Sequence, residues 1–197
     1  MGFGWFLIGY FFVSVMSLYS SLSFAMLAGY PMMIFALRQL APYHRYFRVG
    51  FYVSILSLPF AVYFGLYGLS ELGLVSLSAL GGVLSDTVQW VYFVFTLLFT
   101  ALWLYGIMDF CREIGHLRLQ GCALRNLMLF GITYLFDFIA RLPIGFVQRY
   151  QGYFAAPVLL MRIIVIYLNL YLIFSCYRAF GPEGEELSKN KRKEEGK

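Results

Sequence analysis

The chain of 197 residues is 61% hydrophobic and only 13% charged, far from the roughly 45–50% apolar and 25% charged residues of soluble domains. That composition excludes an ordinary soluble enzyme, and the formal charge of +5 fits positive residues flanking membrane spans rather than a nucleic-acid footprint. A helical span takes about 20 apolar residues, so about five spans fill the length and leave no room for a separate catalytic domain.

Residues 3–37 carry no charged side chain, and as one helix they would reach about 50 Å against a hydrocarbon core of ~30 Å. A break is therefore required. Proline starts helices well and disfavours helix in the residue before it, so Gly29, Tyr30 and Pro31 supply the predicted break and the first span covers residues 5–29. A short helix from Pro31 to Leu40 would then lie along the interface, with Met32, Met33, Phe35 and Leu40 toward lipid. The alternative is a break at Ser20 and Ser21, which turns residues 3–37 into a hairpin and gives six spans. The single span is preferred because Ser17, Ser21, Ala25 and Gly29 recur every four residues, a stripe of small side chains suited to helix packing. The opening MGFGWFLIG lacks the basic n-region of a signal peptide, so this span is expected to be retained.

Arg38, His44, Arg45 and Arg48 form a basic loop that reads as cytoplasmic, with His44 solvated. The second span covers residues 51–68, with Pro59 as a predicted kink. Residues 69–88 contain Glu71 and Asp86 but no Lys or Arg, which places them outside. The third span, 91–109, returns to a second basic loop with Arg112, Arg118 and Arg125. The fourth span, 126–147, leads to an outer turn over 148–154, and the fifth covers 155–176. The polar, charged tail 179–197 is expected to be disordered and cytoplasmic. Twelve of the fifteen Lys and Arg residues fall on one side of this arrangement. The sequence thus predicts an all-α polytopic bundle in a membrane, expected to be the bacterial plasma membrane, with the N-terminus outside and the C-terminus in the cytoplasm. Trp90, Tyr92, Tyr150 and Tyr153 suit an aromatic belt at the outer face.

The candidate site follows from charge at membrane depth, which costs about 2.5–3.5 kcal/mol per residue on insertion scales and so faces the bundle interior. Asp137 and Arg141 are four residues apart on one face of the fourth helix, with Tyr134 one turn earlier. Reckoned inward from the outer turn at helical rise, Asp137 lies ~15 Å deep, Arg141 ~9 Å and Arg162 of the antiparallel fifth helix ~11 Å. The three charges occupy neighbouring levels, and Asn169, two turns beyond Arg162, adds a deeper polar group. The cluster reads either as an ion pair pinning two helices or as a site where two guanidinium groups and one carboxylate hold an anion.

Elsewhere the signals are weaker. Asp109 and Glu113 form an acidic pair beside Arg112 at the inner end of the third span, expected to make local salt bridges. Cys111, His116 and Cys122 match no zinc spacing, and no metal or cofactor is expected. The chain lacks a phosphate loop, an HExxH pair, a GxSxG elbow and a CxxC pair, so no enzymatic activity is expected. The reading favoured by the sequence is a small non-catalytic membrane subunit or scaffold, in contact with the bilayer and with a membrane protein partner or a second copy. The alternative is a small-solute transporter, or its substrate-binding subunit, for an anion held by Asp137, Arg141, Arg162, Asn169 and Tyr134. In size, spans and basic character the chain is comparable to the substrate-binding subunits of energy-coupling vitamin transporters. An outward N-terminus and the lack of an evident broken helix or repeat count against that comparison.

Overall fold

The computed structural model describes residues 2–74, 83–142 and 151–181. Among these residues stand seven α-helices and no strand: α1 Gly2–Ser14, α2 Met26–Leu40, α3 Arg45–Ile55, α4 Leu58–Glu71, α5 Val83–Glu113, α6 Leu117–Arg141 and α7 Gln151–Phe180. Four segments are long and apolar enough to cross a membrane: Ser20–Leu40, Ser85–Glu113, Leu117–Arg141 and Ala155–Phe180. The bent pair α3 and α4 makes a fifth when counted as one span. Within the expected outer regions and tail, residues 75–82, 148–150 and 182–197 lie outside the described residues, as do positions 143–147 of the fourth span.

The N-terminal region departs from the expected span over 5–29. The first helix stops at Ser14, two 3-10 turns follow at Met16–Leu18 and Ser20–Ala25, and α2 then runs back along α1. Gly9 faces Gly29 and Met33, while Gly2 faces Ala36 and Leu40, so the two helices are antiparallel. Their backbones touch. A Cβ at Gly9 would lie 2.8 Å from the Gly29 carbonyl oxygen, and one at Gly29 would lie 3.0 Å from the Gly9 carbonyl oxygen. Pro31 sits inside α2, forgoing one helical hydrogen bond rather than ending the helix.

The chain breaks among its serines because their hydroxyls take up carbonyls released from helical pairing. Ser17 donates to the Val13 carbonyl, and Ser23 Oγ lies 2.7 Å from the Ser20 carbonyl and 2.8 Å from that of Phe64. Ser17, Ser21 and Ala25 therefore lie in 3-10 turns, and the expected stripe with Gly29 is not one helical face. Gly68 of α4 allows this irregular segment to come close, since a Cβ there would meet Ser23 Oγ at 2.6 Å and Phe24 N at 2.9 Å.

The expected kink near Pro59 is present as a 48° bend between α3 and α4. Ser54 donates to the Phe51 carbonyl at 2.7 Å, Ser57 to that of Ser54, and Pro59 enters the first turn of α4. At the basic end, α5, α6 and α7 extend past their expected apolar limits, where Arg112, Arg118, Arg125 and Arg178 can carry helical turns beyond an apolar zone.

Phe3 near the start of α1 packs 6.0 Å from Phe180 at the end of α7 and 6.0 Å from Phe47 of α3. The two described chain ends thus lie at one end of the bundle, beside the basic connections. The reversal of the chain after Ser14 brings these two ends together. Between the ends, the buried Trp103 ring of α5 packs edge-on against Phe6 at 5.3 Å and Tyr10 at 5.4 Å, joining α1 to the core.

Candidate ligand cavity

At the end opposite the termini, the bundle does not close. The end of α1, both 3-10 turns, α4 and the adjoining halves of α5, α6 and α7 surround a cavity of about 390 Å³. Non-helical backbone is tolerated at membrane depth where it lines such a cavity rather than facing lipid. The serine-rich turns form that stretch of wall, with Ser14, Ser17, Ser20 and Ser23 lining the cavity.

The facing wall carries the charges. Arg162 donates from Nη2 to Asp137 Oδ2 at 2.6 Å, and Arg141 donates from Nε to Asp137 Oδ1 at 3.4 Å. Their spacing arises from the i, i+4 relation on α6 and from the antiparallel packing of α7 against it. The Asp137 side chain is only 11% exposed, whereas Arg141 and Arg162 are 34% and 39% exposed. One carboxylate thus orients two guanidinium groups and leaves one net positive charge in the wall. Each guanidinium has five N–H donors, so neither is exhausted by its bond to Asp137.

Aromatic rings position this cluster. The Arg141 guanidinium lies 5.0 Å from the centroid of the Phe93 ring, a cation–π arrangement. Phe93 in turn stacks on Tyr134 with centroids 5.0 Å apart. Tyr134, Phe93 and Tyr92 all reach the cavity, and Tyr92 is fixed by a 2.9 Å hydroxyl contact with the buried Tyr30. Thr96 and Thr133 donate to carbonyls one turn earlier on their own helices at 2.8 Å. Their oxygens remain acceptors toward the cavity they line.

Asn169 does not line this cavity. It is fully buried, accepts from Asn126 Nδ2 at 3.2 Å and donates to the Tyr10 hydroxyl at 3.0 Å. The same Asn126 amide reaches the Leu168 carbonyl at 2.8 Å. Two turns of α7 separate Asn169 from Arg162, and that distance carries it into the packed middle of the bundle. Its effect on the cavity runs through Tyr10, which does line it. A tyrosine hydroxyl that accepts from Asn169 keeps its own proton to donate.

No spacing or motif marked Ser14, Ser20, Tyr10 or Phe93 as wall residues. Only the turning back of α2 brings the serines opposite α6, although their clustering over 14–23 was an available cue. His44 is a further correction: it is buried rather than solvated, with its side chain 4% exposed, and it faces Asp109 and Glu113. Docking of α3 against α5 covers it. No protein-family model, curated protein or solved structure matches the chain.

Proposed function

We propose that this chain is a polytopic membrane protein that binds a small organic anion in the cavity, as a solute carrier or as the solute-binding subunit of one. The observation that carries this reading is the placement of Arg141, Arg162 and Asp137 in the wall of a cavity of about 390 Å³, within the range of roughly 300–1,000 Å³ usual for ligand sites. In this reading the arginines take the anionic group, the serine and threonine hydroxyls complete its shell, and Phe93, Tyr92 and Tyr134 hold its apolar body. Two features of the structure support this reading. The bent pair of α3 and α4 contributes Tyr63, Phe64 and Tyr67 to the wall, in keeping with transporters whose substrate sites use interrupted helices. The described ends also lie together at the basic end, which fits both in the cytoplasm of a bacterial cell.

The scaffold reading would use the stripe of small residues to pack against another helix or another protein. Gly29 is instead used within the chain, against Gly9. No catalytic step is needed for the proposed role, and a membrane protein partner or a second copy would complete a transport path.

The test is a thermal-shift series on purified chain in detergent, with short mono- and dicarboxylates, inorganic phosphate and sulfate. A ligand at 100 times its Kd stabilises by about 2.7 kcal/mol, and the rise in Tm it produces should be lost in Arg162→Gln. An anion series without effect, or a rise unchanged in Arg162→Gln and Arg141→Gln, would refute the assignment.

A further inference from the structure

The opposite, basic end of the bundle holds a second constellation. His44 caps the start of α3, and Asp109 and Glu113 stand one turn apart at the end of α5. His44 Nε2 lies 3.5 Å from Asp109 Oδ2 and 3.5 Å from Glu113 Oε1. The three ligand-type atoms all fall within 4.8 Å of one another. His44 Nε2 is buried and has no hydrogen-bond partner. A buried polar nitrogen without a hydrogen-bond partner, aimed between two carboxylates, is placed to act as a ligand together with them.

We propose that His44, Asp109 and Glu113 bind a first-row divalent metal ion, with Zn²⁺ the best fit. Tetrahedral zinc takes imidazole nitrogen and carboxylate oxygen at about 2.0–2.2 Å, which sets ligand atoms about 3.4 Å apart. Both nitrogen-to-oxygen separations here are 3.5 Å. Calcium and magnesium fit poorly, since they ask for shells of oxygen. A copper(I) site would draw on thiolate or thioether sulfur, and no sulfur belongs to this group.

The surroundings favour one cation. Two carboxylates face the imidazole, and Arg112 offsets only part of their charge, with Nη2 3.7 Å from the other Asp109 oxygen, Oδ1. That contact leaves Oδ2 directed at His44 and orients the ligand, as partners beyond the first shell do in metal sites. The Glu113 side chain is 59% exposed, so ions enter from its side and the fourth position stays open to water. On the other face of the ring, the Tyr46 backbone N–H reaches His44 Nδ1 at 3.4 Å. Loading a cation on Nε2 moves the ring proton to Nδ1, so metal binding and this long helix cap exclude each other. A filled site would tie the connection between α2 and α3 to α5.

The experiment titrates Zn²⁺ into the full chain, purified in detergent and stripped with chelator, by calorimetry, with Co²⁺ absorption as a check on tetrahedral geometry. Three variants accompany it: Glu113→Gln, His44→Asn, which keeps a capping side chain, and Cys122→Ser as a control for adventitious thiol binding. The expected result is one ion per chain, an affinity reduced at least tenfold in Glu113→Gln and His44→Asn, and no change in Cys122→Ser. Loss of a ligand should cost no less than the 10–100-fold typical of outer-shell changes. Absence of saturable binding at one ion per chain, or binding that both ligand variants leave intact, overturns the proposal. The cavity assignment stands or falls separately, because its test uses anions and residues at the other end of the bundle.

Discussion

Replacing Gly9 with alanine tests the hairpin that builds the cavity. The new Cβ would stand 2.7 Å from Met33 Cγ, 2.8 Å from the Gly29 carbonyl oxygen and 2.9 Å from Met33 N. The Met33 side chain can move aside, but the two backbone atoms belong to α2 and yield only if the helices separate by about half an ångström. Overpacking of this kind costs about 1–3 kcal/mol, and alanine returns up to about 1 kcal/mol of helix propensity. A net loss of about 1–2 kcal/mol is expected. Gly131 of α6, where an added methyl would meet nothing within 4 Å, gives the opposite sign, with a gain of about 0.5–1 kcal/mol in Gly131→Ala. Gly29→Ala should resemble Gly9→Ala. Because either substitution pushes the same two helices apart, the double variant should cost less than the two singles together. The assay is equilibrium unfolding in mixed micelles with increasing SDS. Were residues 5–29 one straight helix, Gly9 and Gly29 would lie about 30 Å apart and their effects would add. Additivity within about 0.3 kcal/mol, or a Gly9→Ala chain as stable as the parent, would refute the hairpin.

Other outcomes follow from the same geometry. Asp137→Ala leaves two guanidinium groups without their acid and should lower stability by about 1–3 kcal/mol, discounted from the fully buried case by the partial exposure of both arginines. Combining it with Arg162→Ala should recover part of that loss in a double-mutant cycle, whereas simple addition would show that the pair is not coupled. Asn169→Ala removes a buried partner of Asn126 and Tyr10 and should cost about 1–3 kcal/mol in the same unfolding assay, with a weaker effect on anion binding than Arg162→Gln. Gly68→Leu drives a side chain into Ser23 and Phe24, so it should displace the 3-10 turns and abolish the anion-dependent rise in Tm.

The parts of the fold that were legible in the sequence are those governed by solvent. Long apolar runs and clustered arginines located α5, α6, α7 and the basic end, and Pro59 marked the bend between α3 and α4. The level of Asp137 with Arg141 and Arg162 followed from helical rise alone, since antiparallel neighbours share a depth scale. What escaped was set by tertiary contact. Pro31 looked like the stronger breaker, but one missing hydrogen bond is tolerated inside α2, while the serines of 14–23 could satisfy a broken backbone only with the Phe64 carbonyl and the bare face of Gly68 beside them. Asn169 had the right helix face for the cluster, yet its amide pairs with Asn126, a residue whose inward orientation no spacing disclosed. Burial of His44 likewise depends on α3 docking against α5.

The most direct measurement is mild-detergent purification of the tagged chain, followed by mass spectrometry of everything that accompanies it. An organic anion is expected at up to one per chain, small enough for a cavity of about 390 Å³, and absent when Arg162→Gln is purified in parallel. A stoichiometric protein partner with no bound small molecule, or an anion retained equally by the variant, would contradict the assignment.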